Sequence, residues 1–124
     1  MATDLDARSV EVARENMQAN RVGNRIRAIR ACGLDAPELR RAPAFDLIVA
    51  NILADPLIAL APAISRKLAT SGILVLSGLL IHQAPAVIAA YRAQGLAVES
   101  HHRVTGWSTL VLAKRGIAPA RAPA

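Results

Sequence analysis

Two polar side chains sit where chemistry can be done. In Ala2-Thr3-Asp4-Leu5-Asp6, an acid closes a short apolar start and a second acid follows two residues later. In "FDLIVANILADPL", residues 45 to 57, an apolar run stops on Asn51, and Asp55-Pro56 follows four residues on. A carboxylate accepts hydrogen bonds from sugar hydroxyls. A carboxamide offers a carbonyl acceptor and an amide donor side by side, so it holds an amine without demanding its charge. Both residues also have plain structural readings. Asp4 is a solvated turn residue if Asp6 alone caps the following helix, and Asn51 is a loop residue if it bonds its own backbone. The other reactive types are less promising. His82, His101 and His102 have no Cys or carboxylate partner at ligand spacing, so no metal site is expected. Cys32 has no activating base nearby in sequence, and Ser77-Gly78 lacks a surrounding nucleophile-elbow motif.

Regular elements must hold these residues in place. Asp6 is placed to cap a helix from Ala7 to about Asn20, with Val10, Ala13 and Met17 near helical spacing and Asn20 and Gly23 as the stop. Arg25 to Arg30 alternates Arg with apolar residues and predicts a half-exposed strand near a sheet edge. Residues 31–44, with Gly33, Pro37 and Pro43, read as a loop containing at most a short helical turn. Phe45 to Ala50 is continuously apolar after Asp46, the mark of a strand covered on both faces. Asp55 as N-cap and Pro56 at the first helical position predict a helix to about Ala69, bent at Pro62 and ended by Thr70-Ser71-Gly72. Ile73 to Leu76 is a second buried strand. A helix follows from about Gln83 to Gln94, closed by Gly95. Leu96–Val104 and Trp107–Lys114 are strands separated only by Thr105-Gly106, which forces an antiparallel hairpin. The order describes an α/β sheet with helices on both faces, in one domain over residues 1–115, with 116–124 as a flexible tail. In such sheets ligands lie beyond the carboxyl ends of the strands, which is where Asp4 and Asn51 fall.

Composition narrows the function classes. The chain has 124 residues, of which 53% are apolar, enough for one domain with a real core. No apolar run is long enough to cross a bilayer. Asp4, Asp6 and Glu11 occupy the place of a signal peptide's basic start and apolar stretch. The single cysteine excludes an internal disulfide and fits a cytoplasmic location. The net charge of +6 invites a nucleic-acid partner, but the basic residues are scattered and only Phe45, Tyr91 and Trp107 are aromatic. No stacking platform is present, so direct nucleic-acid binding is not expected.

"ATDLDARSVEVARENMQANRV" resembles the second motif of class I S-adenosylmethionine-dependent methyltransferases, and the closing hairpin matches the last two strands of that Rossmann-like fold. "FDLIVANILADPLIALAP", "ILVLSGLL" with "HQAPAVIAAY", and "GWSTLVL" resemble the C-terminal catalytic domain of the PrmA family. That family methylates amino groups, the N-terminal amine and Lys side chains, of the eleventh protein of the large ribosomal subunit. The resemblance covers residues 2 to about 115 and implies S-adenosyl-L-methionine as cofactor and a ribosomal protein as partner. It implies that Asp4 binds the cofactor ribose and that Asn51 touches both cofactor and target amine. Related families carry Asn-Pro-Pro-aromatic where this chain has Asn51-Ile52-Leu53-Ala54, which disfavours flat nucleobase targets.

The family's first strand and Gly-rich loop are expected before Met1, and no Gly-x-Gly-x-Gly occurs in the sequence. That strand lies between the family's second and fourth. The expectation is therefore a sheet lacking its first strand, inactive alone and binding cofactor weakly. Two other readings stand beside it: a non-catalytic fragment that only associates through strand edges, and a methyltransferase of another substrate such as RNA.

Overall fold

Asp6 sets where the first helix begins. Its carboxylate accepts from the Arg8 N–H at 3.0 Å, a donor that the first helical turn leaves free, and from the Ser9 hydroxyl at 3.1 Å. Helix α1 then runs Ala7–Ala19 with Asn20 as C-cap, as its spacing predicts. The structure, a computed structural model, describes residues 1–116. All but the first residue of the expected tail lies outside the described residues. The chain divides into two units, Met1–Ala42 and the chain from Pro43 onward.

In the first unit, β1 (Ala2–Asp4) and β2 (Ala28–Arg30) form a parallel pair, with Asp4 opposite Arg30. Parallel strands need a crossover, and α1 supplies it. The strand expected over Arg25–Arg30 is shorter than its alternation suggests. The Arg25 and Ile26 amides donate back to the Val22 carbonyl at 2.9 and 3.1 Å, so these residues belong to a turn. Ala28 and Ile29 are both buried, which breaks the expected alternation. Within the segment read as a loop, α2 (Pro37–Arg41) forms with Pro37 in its first turn, where a missing N–H costs nothing, and buries Leu39.

The second unit holds a four-stranded sheet in the order β3-β4-β6-β5. β3 (Phe45–Asn51) runs parallel to β4 (Leu68–Leu80), while β6 (Trp107–Lys114) is antiparallel to both β4 and β5 (Leu96–Val104). The two-residue turn works as expected: Thr105 and Gly106 both take positive φ, 50° and 84°, which matches the twist of the flanking strands. Three helices follow the strands: α3 (Ala54–Ala59), α4 (Ala61–Lys67) and α5 (Ala84–Arg92). The expected break at Pro62 separates α3 from α4. Asp55 is not the N-cap, however. The helix starts two residues earlier, with Leu53 at the cap and Asp55 in the first turn, where its charge still opposes the positive helix end. Thr70-Ser71-Gly72 is also placed differently. It interrupts β4 rather than ending a helix: Phe45 pairs with Leu68 and Leu47 with Ile73, and Ser71 adopts φ of 66° in the intervening irregularity.

One face of this sheet carries the core. Leu74, Leu76, Leu79, Leu110 and Leu112 are fully buried together with Leu57 of α3 and Val87 and Tyr91 of α5. Burying each such side chain contributes roughly 1.5–3 kcal/mol. The other face differs from the expectation of a strand covered on both sides. Leu47 is 57% and Val49 64% exposed, and β3 is an edge strand with one partner, so within this unit nothing packs on that face of it. Lys114 closes the end of α4 by donating from Nζ to the Ser65 and Leu68 carbonyls at 2.7 and 2.9 Å. A cation there satisfies both the orphan carbonyls and the negative helix end.

Tyr91 ties α5 to α3. Its hydroxyl donates to the Leu57 carbonyl at 2.9 Å, inside the core, and burial drives the phenol's ionisation far above its ordinary range, so it remains a donor. Leu57 lies in the last turn of α3, where carbonyls lack helical donors. Tyr91→Phe is expected to lower stability by about 1–3 kcal/mol. A fall in the urea midpoint at unchanged slope is the expected reading; an unchanged midpoint would show that the bond contributes nothing.

Candidate functional site

Asn51 ends β3 at the carboxyl end of the parallel pair, opposite Ser77 of β4. Strand alternation puts its side chain on the same face as Leu47 and Val49, away from the leucine layer. The residue is exposed. Its carboxamide makes no hydrogen bond among the described residues. An amide left open at a strand tip is available to a ligand.

The space for that carboxamide comes from Gly78. A Cβ placed at Gly78 would lie 2.2 Å from Asn51 Oδ1, and Gly78 itself has φ of 77°. A side chain there would push the carboxamide aside, and the positive φ favours glycine. Sequence reasoning weighed Ser77-Gly78 only for a nucleophile and missed this role. The signal depends on a cross-strand partner 27 residues away, which no local pattern records.

Exposed apolar side chains stand at the same end of the second unit. Leu53 is 75% exposed just after Asn51, and Trp107 is 54% exposed opposite Leu80, the last residue of β4. The Ile81 amide donates to the Gly106 carbonyl at 3.2 Å and fastens the hairpin tip to the end of β4. The aromatic side chain absent after Asn51 in sequence is thus present at this end of the sheet from another strand.

Asp4 ends β1 in the first unit. It is exposed, and its Oδ1 accepts from the Asp6 N–H at 2.9 Å while its carbonyl accepts from the Ala31 N–H at 2.9 Å. The Arg30 Nε–H donates to the neighbouring Leu5 carbonyl at 2.9 Å, which fixes the backbone leaving the strand. One carboxylate oxygen therefore holds the turn, and Oδ2 points no bond at the described residues. Turn and ligand roles are compatible in one carboxylate.

The remaining reactive types lie apart from Asn51. Cys32 is exposed and bridges to Asp35 through the backbone. His101 shares a 2.8 Å hydrogen bond with the buried Ser108 hydroxyl. Among the described residues no group of three potential metal ligands occurs, and no helix is long and apolar enough to cross a membrane.

Comparison with known proteins fits this geometry. The family model for ribosomal protein L11 methyltransferase (PrmA) matches residues 1–115. The ribosomal protein L11 methyltransferase of Bradyrhizobium diazoefficiens is 55% identical over 116 residues, which is 94% of this chain and 39% of that protein. The protein of the same name from Rhodopseudomonas palustris is 49% identical over 92% of this chain and 39% of its own length. The chain thus spans about two fifths of the curated relatives it matches. A crystal structure of ribosomal protein L11 methylase from Lactobacillus delbrueckii subsp. bulgaricus superposes with a TM-score of 0.83 at 29% identity, covering 93% of this chain and 57% of that one. The fold is accordingly the Rossmann-like methyltransferase α/β fold, with the antiparallel hairpin at its C-terminal end, and the chain belongs to the ribosomal protein L11 methyltransferase (PrmA) family.

Proposed function

We propose that this chain forms part of the catalytic domain of a cytoplasmic enzyme that transfers methyl groups from S-adenosyl-L-methionine to amines of ribosomal protein L11, with residues 1–115 as the partial domain. The observation that carries the reading is the open Asn51 carboxamide, seated over Gly78 at the carboxyl end of β3. A cradle that a single Cβ would fill is fitted to a polar group held close against backbone. When bound, S-adenosyl-L-methionine supplies an electrophilic methyl on a sulfonium.

The residues would divide the work. Asn51 Oδ1 would accept a hydrogen bond from the target amine and hold its lone pair toward the donor, while the amide N–H would bond the cofactor. Asp4 would accept from the ribose hydroxyls through its free oxygen. Leu53 and Trp107 shield the approach of an aliphatic amine-bearing chain from water. Positioning of this kind supplies much of the acceleration in a transfer between two bound partners. The 124 residues contain no Gly-rich nucleotide loop, so their own affinity for the cofactor is weak, roughly millimolar or poorer, with each missing hydrogen bond costing about 1–3 kcal/mol.

One observation favours a second reading, association without catalysis: β3 is an edge strand with Leu47 and Val49 exposed. A molar mass that stays monomeric across concentrations rejects it.

The test is transfer of labelled methyl to L11 by a longer protein that contains this segment. Asn51→Ala is expected to lower turnover on the order of ten- to a thousandfold, the range for losing one preorganised polar contact. Asp4→Ala is expected to raise the cofactor Kd with a smaller effect on turnover. Gly78→Ala should reproduce most of the Asn51→Ala loss and add roughly 1–3 kcal/mol of destabilisation from its positive φ. Full turnover in either Asn51→Ala or Gly78→Ala would remove this strand tip from the site.

A further inference from the structure

A groove of about 460 Å³ lies between α5 and β5, on the helix-covered face of the second unit. Its floor is aliphatic: Pro85, Ile88 and Ala89 stand one helical turn apart and share a stripe of α5. Arg92 continues that stripe at the last helical position. From the facing strand come His101 and Arg103, two residues apart and so on one side of β5. No Asp or Glu lines the groove. Arg92 and Arg103 are exposed and make no ion pair among the described residues.

The chemistry of the lining is selective. His101 is held by Ser108 at 2.8 Å, and burial, then the charges of Arg103 and His102, lower its pKa from the ordinary value. The fixed charge of the groove is that of the two guanidiniums. Each presents a planar fork that matches a carboxylate in two parallel hydrogen bonds. The floor between them offers nothing polar and favours a branched aliphatic side chain. No Phe, Tyr or Trp lines the groove.

We propose that this groove docks a short acidic, aliphatic peptide segment, with an aliphatic side chain on Pro85, Ile88 and Ala89 and carboxylates on Arg92 and Arg103. Charge complementarity and the aliphatic floor carry the assignment. The site faces away from Asn51's side of the sheet and stands whether or not the chain takes part in methyl transfer.

The test is a nuclear magnetic resonance titration of the isotope-labelled 124-residue chain. The probe is a blocked hexapeptide of alternating Glu and Leu. Two comparison probes are the same peptide with Gln for Glu, and inorganic tripolyphosphate. Saturable shifts are expected at Ile88, Ala89, His101 and Arg103, with a Kd on the order of 0.1–1 mM. The Gln peptide should bind about tenfold or more weakly, as should the Glu peptide to a chain carrying Arg92→Gln and Arg103→Gln, since charge-assisted bonds are roughly twice as strong as neutral ones. Both arginines are exposed, so that variant should keep the parent spectrum elsewhere. Absence of saturable shifts at these four residues overturns the proposal. So does equal binding of the Gln peptide. Tripolyphosphate displacing the peptide from the same residues at lower concentration reassigns the groove to phosphate ligands and also overturns it.

Discussion

The register between β3 and β4 is the constraint on which the rest of the second unit depends. Ile48 lies opposite Leu74 and Ala50 opposite Leu76, and those leucines are fully buried beneath α3 and α5. A slip of one residue would turn every β3 side chain to the other face. It would put Leu47, Val49 and Asn51 against the leucine layer and leave a carboxamide buried without a partner, at a cost of about 1–3 kcal/mol. The core therefore decides where Asn51 points. The same register brings Gly78 beside it, since the chain after Ser77 leaves the regular ladder before Leu79 rejoins β6 at Ser108. Core and site are linked through two strands and one glycine.

How far this could be read from sequence varies with the range of the interaction that sets it. Local signals were legible. Asp6 caps α1, Pro62 separates two helices, and Thr105-Gly106 closes the hairpin, because each acts through its own or adjacent dihedrals. Signals that depend on a distant partner were not. Arg25–Arg30 alternates like a strand, yet its first residues satisfy their amides in a turn on Val22. Leu68–Gly72 looked like a helix end, but Leu68 finds a ladder partner in Phe45. The apolar run of β3 suggested cover on both faces, whereas strand order within the unit leaves Leu47 and Val49 exposed at an edge. At the candidate site, Asn51 stood out because a polar residue ended an apolar strand. Gly78 did not, because only the folded sheet shows what its missing Cβ would strike.

The two faces of the four-stranded sheet carry different chemistry. The helix-covered face is aliphatic to its rim, and its charge there is cationic, from Arg92 and Arg103. The other face is half-exposed and ends in the open carboxamide of Asn51 beside apolar side chains.

The most direct test of the central claim is to watch Asn51 itself. In the isotope-labelled chain, titration with S-adenosylhomocysteine into the millimolar range should move the Asn51 side-chain amide and the Gly78 amide along saturable curves. Ala89 and His101, on the opposite face from Asn51, should stay in place. Resonances of Asn51 and Gly78 that remain fixed while others saturate, or that never move up to the ligand's solubility limit, would contradict the account.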